Sequence, residues 1–191
     1  MPYFDNEGVK IYYEIEGTDP DLFMIHGFAA NIDIKSFNGD FYKTIAHFPG
    51  LDQIKKNTIS MFHGGVHLEL TMLLIPEHND KDEEIKQFAN WVIESMSDKI
   101  PVHFSRFYPH YKMQHVPPTP VETVLNAKKL AEEVGLKYVY TGNLPYSEIN
   151  TTYCQNCGAT LVDRVYYNIK KKDLNKDGKC RKCGHPSDLA M

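Results

Sequence analysis

Four cysteines carry the sharpest chemical signal in this 191-residue chain, and all of them fall in its last forty residues. Cys154 and Cys157 sit in "CQNCG", and Cys180 and Cys183 in "CRKCG", giving the spacing C-x2-C-x22-C-x2-C. Two residues between paired cysteines let one tight turn aim both thiolates at a single ion, and Gly158 and Gly184 supply the backbone freedom that such a turn needs. A tetrahedral site of four sulfurs has no open position, so its role is structural: it holds together a segment too small to build its own core. Ligand softness and spacing favour zinc; an iron-sulfur centre on the same ligands and a redox dithiol are the alternatives. His185 adjoins the second pair and is read as a neighbour of the ligands or as solvated surface, because a fifth ligand is not required.

A second group of chemically capable residues lies at the ends of apolar runs. Asp33 and Lys35 close "AANIDIK", and the two-residue period of a strand places them on one face. His103, Arg106, His110 and Lys112 cluster around the end of "IPVHFSRFYP", where α/β folds place their ligands, and Arg106 is the anion contact expected there. His63 and His67 have the i, i+4 spacing of a zinc-binding helix, but the intervening Gly64-Gly65-Val66 disfavours a helix and carries no glutamate base. A loop leading into a strand is expected instead. Glu69 and Thr71 alternate on one face of their strand, and that face is expected to be solvent-exposed.

The elements that must position these residues follow a β-α-β-α-β rhythm. "VHLELTMLLIP" (66–76) is an apolar run closed by proline, while "NDKDEEIKQFANWVIESM" puts Ile85, Phe88, Ala89, Val92 and Ile93 at helical spacing. The acids of "NDKDEE" complement that helix's dipole, with Asn79 or Asp80 near its cap. "IPVHFSRFYP" (100–109) is the next strand. "TPVETVLNAKKLAEEVG" then opens with Thr119 as N-cap, Pro120 at the first helical position and Glu122 completing a capping box, and Gly135 ends the helix. "LKYVYTGN" (136–143) is a further strand. Short connections in this order favour parallel strands covered by helices. Residues 40–62 read as mostly helical with a break at Pro49 and Gly50, and "VKIYYEIEG" reads as part of an antiparallel hairpin.

Bulk properties exclude several partners. A net charge of -4 from 21 basic and 25 acidic residues, interspersed, makes no single-sign field for nucleic acid or an anionic membrane. The chain is 42% hydrophobic, enough for one core with a small appended module. No apolar run is long enough to span a bilayer, and "MPYFDNEGVK" lacks the order of a secretion signal, so a cytoplasmic location is expected. In a reducing compartment the two CxxC pairs argue for metal rather than disulfides.

From about residue 30 to 187 the sequence resembles the C-terminal half of the radical SAM enzyme of the AmmeMemoRadiSam system, a relative of pyruvate formate-lyase activating enzymes. The strings that carry this are "AANIDIKSFNGDFYK", "ELTMLLIPEHND", "HFSRFYPHYKM", "VPPTPVETVLNAKKLAEEVGLKYVYTGN", "NTTYCQNCGATLVDR" and the last CxxC pair. The resemblance implies that Asp33 meets the α-amino group, and Lys35 the carboxylate, of S-adenosylmethionine, with Tyr108 at the position where the family carries the histidine of "SRFHP" towards the adenosine end; Arg106 is counted with them as a cofactor-binding anion contact, a surface ion pair being its alternative. It also implies a [4Fe-4S] cluster on a CxxxCxxC loop, and this sequence has no such motif: its only cysteines are the two C-terminal pairs. Reductive cleavage of the cofactor by this polypeptide alone is therefore not expected.

The first thirty residues resemble something else. "MPYFDNEGVKIYYEIEGTDPDLFMIHGFAAN" resembles the start of an α/β-hydrolase, with His26-Gly27 ahead of an oxyanion-hole backbone N–H at Phe28. No G-x-S-x-G follows, so a catalytic triad has no nucleophile elbow. The fold expected is α/β: a partial (β/α) radical-SAM-type barrel (31–148) behind an N-terminal hairpin and strand (1–30), with a C-terminal zinc-ribbon-like module (149–191). Three functional readings follow: a shortened radical SAM activating-enzyme-like protein, a non-catalytic zinc-ribbon binding module on an α/β scaffold, and an inactive hydrolase remnant. The first predicts an exposed strand edge near residues 29–34, which invites a complementing chain, a protein target or a second copy of the chain.

Overall fold

The structure is a computed structural model that describes residues 3–6, 9–12, 29–48, 50–144, 150–165 and 168–189. The N-terminal hairpin is present as β1 (Tyr3–Asn6) and β2 (Val9–Tyr12), antiparallel with Tyr3 opposite Tyr12. His26 and Gly27 lie outside the described residues.

Four parallel strands make the central sheet: β3 (Ala29–Asp33), β4 (His67–Leu74), β5 (Val102–Arg106) and β6 (Val139–Gly142). Their spatial order is their order in sequence. Between β3 and β4 run α1 (Gly39–Thr44) and α2 (Leu51–His63), and α3 (Asp82–Ser95) and α4 (Val121–Val134) follow β4 and β5. Stepping one strand at a time in one direction, through crossovers of one hand, places α2, α3 and α4 on the same face of the sheet. The sequence of β4 shows which face that is. Leu68, Leu70, Met72 and Leu74 are at most 1% exposed and join Phe88, Ala89 and Val92 of α3 and Val124, Ala127 and Ala131 of α4 in one core. Full burial of each such aliphatic side chain contributes roughly 1.5–3 kcal/mol. His67, Glu69 and Thr71 alternate with them and so face away from the helices.

The strands are shorter than their apolar runs, and the expected cap at Thr119 is absent. Thr119 does not cap α4: Pro120 holds the N-cap position with no side-chain cap. The Thr119 hydroxyl is fully buried and donates to the Leu74 carbonyl (2.6 Å) while accepting from the Phe107 backbone N–H (3.2 Å), so it fastens the ends of β4 and β5 together. Likewise α3 begins at Asp82 behind Lys81, with no cap from Asn79 or Asp80. Asn79 is fully buried and spends its amide on backbone instead, as described below. In both cases a buried orphan backbone group outcompetes a helix end that water can serve. The histidine pair resolves as expected: His63 ends α2, the chain turns at Gly64 and Gly65, and His67 begins β4.

Beyond the sheet lies a small antiparallel unit of β7 (Thr152–Tyr153), β8 (Thr160–Val165) and β9 (Asn168–Lys171), in that order. Its buried hydrophobic cluster is small: Cys154, Ala159, Leu161, Val162, Leu174 and Cys180, with Leu189 packed against them. No helix among the described residues is long and apolar enough to cross a membrane.

Candidate metal centre and strand-end site

Each CxxC pair forms the same backbone loop. Gly158 N–H donates to the Cys154 carbonyl (2.9 Å) and Cys154 N–H to Ala159 (2.8 Å); Gly184 N–H donates to Cys180 (2.9 Å) and Cys180 N–H to His185 (2.8 Å). Both loops turn through glycine at positive φ, 70° at Gly158 and 73° at Gly184, which a side-chain-bearing residue adopts only under strain. The two loops face each other, and all four sulfurs lie within 4.8 Å of one another. Cys154 Sγ is 3.6 Å from Cys183 Sγ, and Cys157 Sγ is 3.7 Å from Cys180 Sγ.

These spacings discriminate between occupants. A disulfide needs about 2.05 Å, so no pair is bonded. A tetrahedron with metal–sulfur bonds of about 2.3 Å has edges of about 3.8 Å, close to the 3.6 and 3.7 Å of these two pairs. A [4Fe-4S] cube binds each thiolate through a different iron and spreads the sulfurs wider than these. Four thiolates this close also repel unless a cation sits among them. Without one the protons divide unevenly: the His185 backbone N–H and the Asn156 side chain lower Cys183 to about 6. The Ala159 backbone N–H acts to lower Cys157, but hydrogen bonding with Cys183 and the other cysteines outweighs it and leaves that thiol up at about 12. Cys154 and Cys180 are buried and Cys157 and Cys183 exposed, so one side of the centre faces solvent.

The second cluster sits where the parallel strands end. Asp33 closes β3, and Lys35 Nζ pairs with the Asp33 carboxylate. The segment carrying Lys35 is held on three sides. Tyr42, buried on α1, accepts from Lys35 N–H at its hydroxyl (2.9 Å), and Asn79 Nδ2 donates to the Lys35 carbonyl (2.6 Å). Glu84 of α3 accepts from Ser36 Oγ (2.5 Å) and Phe37 N–H (2.7 Å). Asn79 completes its set by donating to Leu73 (2.8 Å) and accepting from Ile75 N–H (2.6 Å). Arg106 closes β5; its Nε donates to the Thr119 carbonyl (2.6 Å) and its Nη1 to Tyr108 Oη (3.1 Å), and the guanidinium lies over the Tyr108 ring (4.8 Å). Tyr108 donates to the Asn143 carbonyl (3.2 Å), and Asn143 Nδ2 donates to the Arg106 carbonyl (3.2 Å). Asp33 and Lys35 thus form one group and Arg106 and Tyr108 another, two strands apart, roughly 10 Å across the sheet. His110 starts the 3-10 turn that contains Lys112, and both are exposed.

The face bearing Glu69 and Thr71 is not simply solvated, which corrects the sequence reading. Thr71 Oγ1 donates to Asn31 (2.9 Å), and Glu69 pairs with His103 Nε2 (2.9 Å) and, more loosely, His67 Nε2 (3.9 Å). The His103 hydrogen bond lowers the Glu69 carboxyl from its ordinary value. His67, Glu69 and His103 line a cleft of about 270 Å³ whose far wall is Arg164, Asn150 and Asp188 of the cysteine unit. Period-two alternation placed Glu69 and Thr71 on one face; nothing local signalled what covers that face. Asn79, Glu84, Asn143 and Asn150 are the other working side chains that sequence reasoning missed. Asn79, Glu84 and Asn143 each reach a partner dozens of residues away, and Asn150 serves a strand edge nine residues back, so the fold reveals them.

No family model matches the chain. An uncharacterized protein of Methanocaldococcus jannaschii is 41% identical over 164 residues, which are 85% of this chain and 49% of that protein. The chain therefore spans about half the length of the curated relative it matches. Among solved structures, a domain of pyruvate-formate lyase-activating enzyme from Bacteroides vulgatus matches with a TM-score of 0.51 at 19% identity, over 61% of this chain and 68% of that one. The α/β-hydrolase likeness of the first thirty residues finds no support in these comparisons. What they show is a fold: the mixed α/β arrangement described above, with its parallel sheet, is shared with a pyruvate-formate lyase-activating enzyme domain.

Proposed function

We propose that this chain is a radical SAM-type protein related to pyruvate formate-lyase activating enzymes, comprising part of a (β/α) barrel (31–148) and a zinc-ribbon-like module (149–191). One observation carries this reading: Asp33 with Lys35, and Arg106 with Tyr108, occupy the C-terminal ends of parallel strands in sequential order, the end at which such sheets bind ligands. In this reading Asp33 accepts from the α-ammonium of S-adenosylmethionine and Lys35 neutralises its carboxylate, the two giving up their ion pair to do so. Arg106 and Tyr108 line the adenosine side. The reaction of such enzymes also needs a [4Fe-4S] cluster, and neither the sequence motif nor the sulfur spacing of this chain fits one. A cluster-bearing partner or further polypeptide would have to supply it, and β3, at one end of the four-stranded sheet, offers the edge for a complementing strand. Zinc is the ion proposed for the four cysteines, on softness, count and spacing.

Equilibrium dialysis with S-adenosylmethionine tests the cofactor site. Saturable binding that falls at least tenfold in Lys35→Ala and in Arg106→Ala supports it; absence of binding, or binding indifferent to both changes, refutes it. A second reading, a zinc-ribbon docking module on an inert scaffold, is favoured by the missing cluster motif and predicts no cofactor binding at all.

A further inference from the structure

The cysteine unit and the polar face of the parallel sheet are joined by a short chain of specific bonds. β6 ends the four-stranded sheet, and its outer edge is served by a side chain rather than by a strand. Thr141 N–H donates to Asn150 Oδ1 (2.8 Å), and Asn150 Nδ2 donates back to the Thr141 carbonyl (2.7 Å). Arg164 of β8 donates from Nη1 to the Asn150 carbonyl (3.2 Å) and to Thr152 Oγ1 (2.5 Å), and its guanidinium lies over the Tyr140 ring (5.1 Å). Thr152 Oγ1 shares a further hydrogen bond with the Tyr140 hydroxyl (2.8 Å). On the other side Asp188 accepts from Lys99 (2.6 Å) and from the Tyr138 hydroxyl (3.0 Å).

Both groups of anchors hang directly on the cysteine loops. Thr152 precedes Cys154 by two residues. Asp188 follows Cys183 by five, with the strand pairing of Lys179 with Pro186 and the Ser187 N–H bond to Gly178 (2.7 Å) fixing the path between. The unit has little apolar core to hold it: of the six residues in its buried hydrophobic cluster two are ligand cysteines, and the rest are small or medium aliphatics. A segment with so little core is ordered by its metal, because binding free energy there is folding free energy.

We propose that metal occupancy at the four cysteines controls the cleft on the sheet's polar face. With the ion bound, Asn150, Arg164 and Asp188 stand across the cleft from the paired Glu69 carboxylate and His103 imidazole. When the ion leaves, β7 and residues 185–189 lose their order, the β6 edge is uncovered and the Glu69–His103 pair opens to bulk water. A metal centre about which the cleft assembles is thus a conditional switch for any ligand that uses His103. This inference rests on the reading that the cysteines bind metal.

Amide hydrogen exchange on the full chain tests it, read before and after chelation with metal content measured on the same samples. The Thr141 amide, held by Asn150, is expected to exchange at least tenfold faster after chelation, while Leu70 and Met72 in β4 keep their rates. The same tenfold change is expected in the metal-loaded double variant Thr152→Val, Asp188→Ala, at unchanged metal content, because the anchors and not the ion touch the sheet. A chain that binds no metal overturns the cysteine reading beneath the proposal. Bound metal with Thr141 indifferent to chelation overturns the coupling itself. Equal acceleration at Leu70 also overturns it, since the ion would then support the whole fold rather than the cleft.

Discussion

Replacing Asn79 by alanine should be among the most damaging single changes in the sheet. The side chain is fully buried and makes three hydrogen bonds to backbone: it accepts from Ile75 N–H and donates to the Lys35 and Leu73 carbonyls. Each such bond contributes about 1 kcal/mol net, and each buried group left without a partner costs about 1–3 kcal/mol. Three losses at one site, each near the lower end of that range at about 1–1.7 kcal/mol, give about 3–5 kcal/mol. That is a large share of the roughly 5–15 kcal/mol by which a domain is stable. For a chain of this size about 2–4 °C is lost per kcal/mol, so the midpoint of thermal unfolding should fall by about 6–20 °C. Urea denaturation followed by circular dichroism measures it, with an unchanged m-value showing that the loss is in stability. Asn79→Asp keeps the acceptor but removes both donors and turns a carboxylate towards two carbonyl oxygens, so at neutral pH it should destabilise at least as much. A loss below about 1 kcal/mol in either variant would refute the assignment of these bonds, and with it the account of how the Lys35 segment is held.

Three further expectations concern other parts of the molecule. Thr119→Val keeps the side chain's shape but orphans the Leu74 carbonyl and the Phe107 N–H, so it should cost about 2–4 kcal/mol by urea denaturation; a neutral result would mean that its hydroxyl does not bridge β4 and β5. Glu69 has a folded-state pKa below its ordinary 4.5, so its contribution to stability is present above that value and disappears as pH falls through the lower one. Glu69→Gln should flatten the acid limb of a stability–pH profile over that window, and an identical limb in the variant would show that the His103 bond does not form. Cys180→Ala removes one buried ligand and should abolish tight metal binding while leaving the urea transition of the parallel sheet in place; a variant that keeps wild-type metal affinity would exclude Cys180 as a ligand.

The elements were legible wherever the pattern was local. The 3.6-residue spacing of Ile85, Phe88, Ala89 and Val92 placed α3, and the two CxxC loops, each with its glycine, announced a four-sulfur cluster. Gly135 ends α4 at φ 125° as its position implied. The failures share a cause. Thr119 looked like a helix cap, and Asn79 like a residue beside one, because short polar side chains near a helix start usually are. Here each is drawn to backbone groups dozens of residues away, such as Leu74 for Thr119 and Lys35 for Asn79, whose burial sets a higher cost than a solvent-served helix end. Glu69 was placed on the correct face and given the wrong environment, since the alternation of β4 says nothing about Arg164 or Asp188 arriving from the far end of the chain.

The four sulfurs around one ion are the claim on which the rest depends, and anaerobic preparation with both iron and zinc supplied, followed by elemental and acid-labile sulfide analysis, tests it most directly. One tightly held ion per chain with no sulfide is the predicted result. A metal-free chain, or one holding four irons with matching sulfide, would contradict it.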